Sequence, residues 1–132
     1  MKHYNYIFAG AGLSSLMTVY KMILSEKFQD KSILLIDFDS KKSNDRTWCF
    51  WEKPNHVWQH LVSKTWSVAV FANKDNSRDL DIQPYQYNMI RGLDFYNHVF
   101  DLINHQTNIT FVKDKVLRID DKTSQVDVIC EG

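Results

Sequence analysis

Two glycines near the start of the chain have the spacing of a dinucleotide-binding loop. Gly10–Ser15 reads Gly-Ala-Gly-Leu-Ser-Ser, a G-x-G-x-x-S pattern between an apolar run and a segment of helical periodicity. Gly10 permits a tight turn, and Gly12 lets the backbone approach a pyrophosphate whose charge the following helix N-terminus stabilises. The predicted phosphate loop consists of Gly10, Ala11, Gly12, Leu13, Ser14 and Ser15. Ser15 stands where a glycine or alanine normally allows close packing of helix and strand.

One acid completes this pattern. Ser32–Ile36 is a short apolar run typical of a buried parallel strand, and Asp37 follows it directly. An acid at this distance from the loop accepts hydrogen bonds from the adenosine ribose hydroxyls. Strand, loop, helix, strand and acid in this order predict dinucleotide binding. The alternative is an ordinary βαβ unit in which Gly-Ala-Gly is only a turn.

A second group of chemically distinctive residues follows the acid. Asn44–Trp51 reads Asn-Asp-Arg-Thr-Trp-Cys-Phe-Trp. Because this run comes after the second strand, we expect it at the carboxyl edge of the parallel sheet, where open α/β sheets bind ligands. Arg46 is therefore a candidate cofactor contact, and Trp48 and Trp51 offer apolar area and π-faces to a substrate. Aromatic residues are more often core, and we expect that of Trp66, because it alternates with Val68 and Val70 on one arm of a predicted hairpin.

The sequence predicts that these residues are positioned by an α/β fold. In it, a Rossmann-type parallel sheet is interrupted by antiparallel hairpins. The predicted βαβ start spans residues 4–37, and an inserted loop and hairpin span about 38–83. A strand, helix, strand and second hairpin span about 86–130. Such an early β insertion is unlike a plain nicotinamide domain. The last hairpin leaves no return strand to the parallel sheet, so we expect an N-terminal piece of a larger flavoprotein.

Arg91 is a further candidate at the sheet edge. Tyr87–Asp94 predicts a strand end, a turn and then Asp94 as the N-cap of a helix over about residues 95–105. An arginine beside a helix start contacts either a cofactor phosphate or flavin, or forms a surface ion pair. The sequence leaves both interpretations open.

Composition excludes several classes of protein. The 132 residues carry 16 basic and 16 acidic side chains, which gives no indication of a nucleic-acid partner or a basic membrane-binding face. Cys49 and Cys130 are far apart, which argues against a disulfide scaffold and a structural zinc site. His56 and His60 lack a third ligand, so no metal site is predicted. The apolar stretch Tyr6–Leu24 contains glycines, serines and a lysine, and a βαβ unit explains it better than a signal peptide.

Four segments together resemble the amino-terminal third of bacterial lycopene β-cyclases. They are Tyr6–Ser14, Leu34–Asp37, Asn44–Glu52 and Met89–Arg91. The glycine loop and the acid are common to many flavoproteins, whereas the Asn-Asp-Arg-Thr-Trp-Cys-Phe-Trp run is the discriminating part. The resemblance covers essentially the whole chain.

The resemblance implies a flavoenzyme that performs an isomerisation. Enzymes of this family bind FAD, need it reduced by NAD(P)H, and cyclise the ends of lycopene to β-ionone rings in carotenoid biosynthesis without net redox change. A carboxylic acid protonates a terminal double bond, the carbocation closes the ring, and a ring proton is lost. The family's acidic motif lies beyond residue 132, so no catalytic residue is assigned in this chain, which alone should be inactive.

Two other functions fit the same residues: a flavin-dependent monooxygenase or oxidoreductase of the same fold, or a non-catalytic fragment. The default compartment is the cytoplasm. Peripheral contact with the inner membrane is suggested only by the fact that a carotenoid substrate dissolves in lipid.

Overall fold

The computed structural model describes residues 2–132, and in this range the chain forms ten strands, two α-helices and one short 3-10 helix, Gln59–Leu61. The helices are α1 (Leu13–Ser25) and α2 (Gly92–Asn104). The strands are β1 (Tyr6–Ala9), β2 (Ile33–Asp37), β3 (Thr47–Glu52), β4 (Val62–Trp66), β5 (Val68–Ala72), β6 (Ser77–Asp81), β7 (Gln86–Arg91), β8 (Ile109–Lys113), β9 (Val116–Asp121) and β10 (Val126–Cys130).

The chain divides into two compact units. The first unit contains the chain up to Lys41 together with His98–Gly132, and the second contains Lys42–Asn97. The second unit therefore includes β3 to β7 and the start of α2.

The first unit is built on a parallel sheet of three strands in the order β1-β2-β8. β2 is the central strand, and all five of its residues are buried, so both of its faces are covered. This burial explains why Ile33–Ile36 is continuously apolar instead of alternating. The predicted third parallel strand is confirmed as β8, which pairs with β2 from Ile109 to Lys113.

Helix α1 begins at Leu13, immediately after the glycines, as its periodicity predicts. Its buried face consists of Leu16, Val19, Tyr20 and Met22. Leu24, in the last turn, is 53% exposed. Within residues 2–132, neither helix combines the length and apolarity that crossing a bilayer requires.

The first unit also contains the predicted C-terminal hairpin. β9 and β10 pair antiparallel, with Val126 opposite Asp121. Lys122 N–H donates to the carbonyl oxygen of Gln125 across the turn, and the Lys122 ammonium forms an ion pair with Asp127. The turn is therefore closed by both a backbone hydrogen bond and a charge pair.

The second unit contains an antiparallel sheet in the order β3-β7-β4. Because side chains alternate along a strand, this sheet has two distinct faces. One face carries Trp48, Asn88 and Ile90, and its aromatic member packs against Phe95 of α2. Asn88 is fully buried, and its Oδ1 accepts a hydrogen bond from Thr65 Oγ1 at 2.9 Å.

Three sequence-based expectations for this unit are wrong. The run 44–51 is not a loop at the edge of the parallel sheet, because Thr47–Glu52 is a strand of an antiparallel sheet. No turn separates β7 from α2, because the helix starts at Gly92 and places Asp94 inside its first turn. The predicted hairpin exists between β5 and β6, but Trp66 lies outside it, in β4.

The expectation that Trp66 belongs to the core also fails. Its side chain is 38% exposed, and the alternating Val68 and Val70 are 57% and 61% exposed. Val68 and Val70 do lie on one face of β5, as their alternation predicts. Within the described residues, however, most of both faces of the β5-β6 ribbon is exposed. A two-stranded ribbon needs a further layer before its apolar face is buried.

Candidate functional site

The glycine loop has the backbone geometry that a phosphate-binding turn requires. Gly10 has a φ of +104°, a conformation that side-chain-bearing L-residues rarely adopt, and its N–H donates to Ile36 O at 2.7 Å. Gly12 is the N-cap of α1, and a Cβ on it would meet no atom within 4 Å. The loop therefore leaves open space over the backbone at the helix start.

The remaining loop residues differ in how far their side chains are buried. Ala11 is fully buried, whereas Leu13 and Ser15 are half-buried in the first turn of α1. Ser14 is exposed, and its carbonyl oxygen accepts a hydrogen bond from Thr18 Oγ1 at 2.8 Å. The serine in the third position therefore does not prevent α1 from packing its apolar face.

Asp37 fastens the end of β2 to the glycine loop. Its Oδ2 accepts a hydrogen bond from Ala11 N–H at 2.7 Å, and its Oδ1 accepts one from Asp39 N–H at 2.8 Å. The Asp37 side chain is only 6% exposed. The predicted ribose-binding acid and the predicted phosphate loop are thus brought into direct contact.

Lys41 is a member of this site that the sequence reasoning missed. Its Nζ lies 3.3 Å from Asp37 Oδ2, and its side chain is 9% exposed. The backbone at Lys41 is left-handed, with a φ of 56°, and its N–H donates to Asp39 Oδ1. A lysine four positions after the acid was visible in the sequence, but such a spacing implies a contact only in a helix. Here a loop turn provides it.

These contacts leave Asp37 partly available to a ligand. An ionised carboxylate offers about four acceptor positions. Two backbone amides and one ammonium occupy three of them. These three contacts hold the carboxylate rigidly and leave one acceptor position unused by them, and the contact of Asp37 with a ribose stays a prediction.

Arg46 and Asn44 have structural roles at the start of α2. Gly92 N–H donates to Arg46 O at 2.7 Å, and Leu93 N–H donates to Asn44 Oδ1 at 3.2 Å. Helix N-termini present unpaired amides, so these acceptors complete the helix. A Cβ on Gly92 would lie 2.7 Å from Arg46 O, which explains the glycine. The Arg46 side chain is 70% exposed, and its cofactor contact stays a prediction.

Arg91 forms an ion pair at the surface. Its Nε lies 2.9 Å from Asp94 Oδ2, one turn along the chain, and its side chain is 58% exposed. This contact is the surface ion pair that the sequence left open as one interpretation. Contact of Arg91 with a cofactor stays a prediction.

Trp48 and Trp51 lie on opposite faces of the β3-β7-β4 sheet. The Trp48 ring packs edge-on against Phe95 at 5.3 Å and against Tyr96 at 5.5 Å. Trp51 is 52% exposed and lies against Tyr87, with the two rings tilted and their centroids 4.8 Å apart. The two indoles therefore cannot line one surface of this sheet, although each remains a predicted substrate contact.

The outer face of this sheet carries a row of aromatic rings. Tyr87 pairs with Trp51 on one side and with Trp66 on the other, and the Trp66 and Tyr87 ring centroids are 5.8 Å apart. Cys49 lies diagonally beside Tyr87, and their hydrogen bond raises the pKa of the Tyr87 phenol above its ordinary value. The phenol therefore stays neutral, and the row presents an uncharged, partly exposed aromatic surface, which we call the aromatic row.

Comparison with solved structures shows the fold. PqsL of Pseudomonas aeruginosa, a probable FAD-dependent monooxygenase, matches with a TM-score of 0.63 at 11% identity, over 98% of this chain and 38% of that one. A quadruple mutant of PqsL matches with a TM-score of 0.66 at 13% identity, over 98% and 39% respectively. This chain therefore spans less than half the length of these proteins.

Comparison by sequence shows the family. No curated protein matches the chain. Residues 5–132 match the family model described as lycopene cyclase protein. This match includes the glycine loop, Asp37 and the whole second unit. The chain belongs to the lycopene cyclase family.

Proposed function

We propose that this chain is the FAD-binding part of a lycopene β-cyclase, an enzyme that closes β-ionone rings at the ends of lycopene. The observation that carries this proposal is the family match over residues 5–132, which includes both units rather than the glycine loop alone. The activity belongs to the whole enzyme. The 132-residue chain alone should bind cofactor but not turn over substrate.

The first unit fits the adenosine and pyrophosphate part of FAD. Open space above Gly12 lets a pyrophosphate reach the backbone, and the N-terminus of α1 stabilises its charge. The remaining acceptor of Asp37 suits a ribose hydroxyl. The similarity of the fold to that of an FAD-dependent protein supports the choice of flavin.

The aromatic row supports an apolar substrate. Trp51 and Trp66 leave large ring areas exposed, which is unusual for a soluble domain unless the surface binds something. Aromatic faces also attract cations, and ring closure of a polyene proceeds through a carbocation. The substrate contact of Trp51 rests on this face, and that of Trp48 would have to be made from the opposite, packed face of the sheet.

The proposed reaction is an isomerisation without net oxidation or reduction. Bound reduced flavin supplies electrostatic stabilisation to a cationic intermediate in a dry site. The residues of this chain bind and orient the cofactor, and none of them is assigned as the proton donor. NAD(P)H acts only to keep the flavin reduced.

The test is an assay of the complete gene product with lycopene and chemically reduced FAD under anaerobic conditions. We expect β-ionone rings to accumulate with no reductant consumed per ring formed. Absence of cyclised product from enzyme that has bound reduced FAD would refute the cyclase proposal and leave the flavoprotein assignment intact.

The fold similarity to PqsL favours one alternative, a flavin-dependent monooxygenase. Such an enzyme consumes NAD(P)H and oxygen in proportion to product. Substrate-stimulated oxygen uptake, measured with an oxygen electrode, would support this alternative over cyclisation.

A further inference from the structure

The glycine loop has a buried negative charge directly beside it. Asp37 Oδ2 accepts a hydrogen bond from Ala11 N–H at 2.7 Å, and the Asp37 side chain is only 6% exposed. Ala11 is the chain neighbour of Gly12, over which the loop leaves open space. A buried charge is screened much less by water and salt than an exposed one. An uncompensated carboxylate at this place would therefore repel a diphosphate that approaches the loop.

The turn after β2 adds a second carboxylate to the first. Asp39 N–H donates to Asp37 Oδ1 at 2.8 Å, and Asp39 Oδ1 accepts a hydrogen bond from Lys41 N–H. These two contacts and the left-handed backbone at Lys41 form a turn, and the lysine side chain returns to Asp37. The contacts that hold the two acids in place therefore also place a cation beside them.

Lys41 is unusually buried for a lysine. Its Nζ lies 3.3 Å from Asp37 Oδ2, the oxygen that faces the loop, and its side chain is 9% exposed. The next residue, Lys42, is exposed, as lysines ordinarily are. A buried ion pair contributes little net stability, because the loss of hydration offsets the attraction between the charges. A role in ligand binding explains the position of Lys41 better than a role in stability.

We infer that Lys41 is a positioning residue that determines which ligand the site accepts: its ammonium neutralises Asp37, so that the glycine loop binds the diphosphate of an adenine nucleotide. This inference rests on the proposed function, in which the loop holds the pyrophosphate of FAD. Asp37 keeps its oxygen acceptors, and Lys41 removes the repulsion between that acid and the phosphates.

Isothermal titration with ADP tests the inference on the complete gene product, purified free of flavin. Lys41→Met keeps the apolar stem of the side chain and removes the ammonium. This variant should raise the dissociation constant for ADP about tenfold or more, because the unpaired charge of Asp37 repels the phosphates. Lys41→Arg keeps the positive charge and should stay within about threefold of the unmodified protein.

The chain offers a matched control one position further along. Lys42→Met removes the same charge from an exposed side chain. Because water and salt screen an exposed charge, this variant should change the dissociation constant for ADP by less than about twofold.

A double variant separates charge compensation from a purely structural role. In Asp37→Asn/Lys41→Met neither charge remains, so this protein should bind ADP about threefold or more tightly than Lys41→Met does. A structural role predicts the opposite, because the second substitution removes a further contact. If urea unfolding shows that Lys41→Met is not folded, Asp37→Asn replaces it in the comparison. With the ammonium retained, Asp37→Asn should bind ADP about threefold or more tightly than the double variant does.

Three results would overturn the inference. They are unchanged ADP binding by Lys41→Met, an equal loss of binding in Lys42→Met, and a double variant that binds ADP no better than Lys41→Met does. An unmodified protein that does not bind ADP would refute dinucleotide binding itself, and this inference with it. Absence of cyclised product from a protein that shows the expected pattern of ADP binding would refute only the cyclase proposal.

Discussion

Gly12→Ala should separate cofactor binding from folding. Gly12 has a φ of −78° and a ψ of −176°, an extended conformation that alanine also adopts, and its Cβ would touch nothing. Alanine is a poorer N-cap than glycine, which costs about 0.5–1 kcal/mol. Alanine also reduces the entropy of the unfolded chain, which contributes about 0.4–1 kcal/mol in the other direction. The free energy of unfolding should therefore change by less than about 1 kcal/mol.

The effect on FAD binding should be much larger. The new methyl group occupies the open space through which a pyrophosphate would reach the backbone amides at the start of α1. A hydrogen bond to a charged group contributes about 1.5–3 kcal/mol. Loss of one such bond raises the dissociation constant for FAD roughly 10- to 150-fold.

Isothermal titration with FAD and with ADP, together with urea unfolding, measures both quantities. Gly10→Ala is the matched control, because its Cβ is equally unobstructed but its φ of +104° is strained for alanine. That variant should lose about 1–3 kcal/mol of stability. If Gly12→Ala binds FAD as tightly as the unmodified chain does, the loop does not hold the pyrophosphate. If the unmodified chain has no affinity for FAD or ADP, dinucleotide binding by this unit is refuted.

Five other substitutions test the remaining contacts. Gly92→Ala should lower the free energy of unfolding in urea by about 1–3 kcal/mol, because the new Cβ would lie 2.7 Å from the Arg46 carbonyl oxygen. Helix propensity alone predicts a gain of about 1 kcal/mol, and such a gain would contradict this packing. Asn44→Ala should cost about 0.5–2 kcal/mol by the same measurement, and an unchanged midpoint would rule out its capping role. Asp37→Ala removes a buried ion pair and two hydrogen bonds from backbone amides and should cost about 3–5 kcal/mol, so a loss below about 1 kcal/mol would disprove the buried pair. Trp48→Ala should lower the free energy of unfolding by about 3 kcal/mol, because the Trp48 ring is packed. Trp51→Ala should change it by less than about 1 kcal/mol but raise the KM of the complete enzyme for lycopene. Equal losses of stability would contradict the placement of the two rings on opposite faces of the sheet.

Local patterns predicted the first unit well. The glycine spacing, the helix start at Leu13 and the buried strand before Asp37 all appear where the sequence placed them. Each depends on residues close in the chain, because turn geometry and helical periodicity are local properties. The boundaries differ by one or two residues.

The aromatic segment was predicted less well for a physical reason. Thr47–Glu52 alternates as a strand should, yet its position after Asp37 suggested a loop. Its actual partner is β7, about 40 residues away along the chain, and no local signal specifies that pairing. The role of Asn44 at the start of α2 depends on the same distant pairing.

The sequence by itself determined the βαβ unit, its glycine loop and the place of Asp37, because each follows from short-range spacing. The tertiary structure decided that Lys41 closes onto Asp37, and that Trp48 is packed while Trp51 and Trp66 form an exposed row around Tyr87. A shift of one residue in strand register would exchange the faces of these rings. Register is set by long-range strand pairing and by the helix that covers one face, and neither can be read from a single segment of sequence.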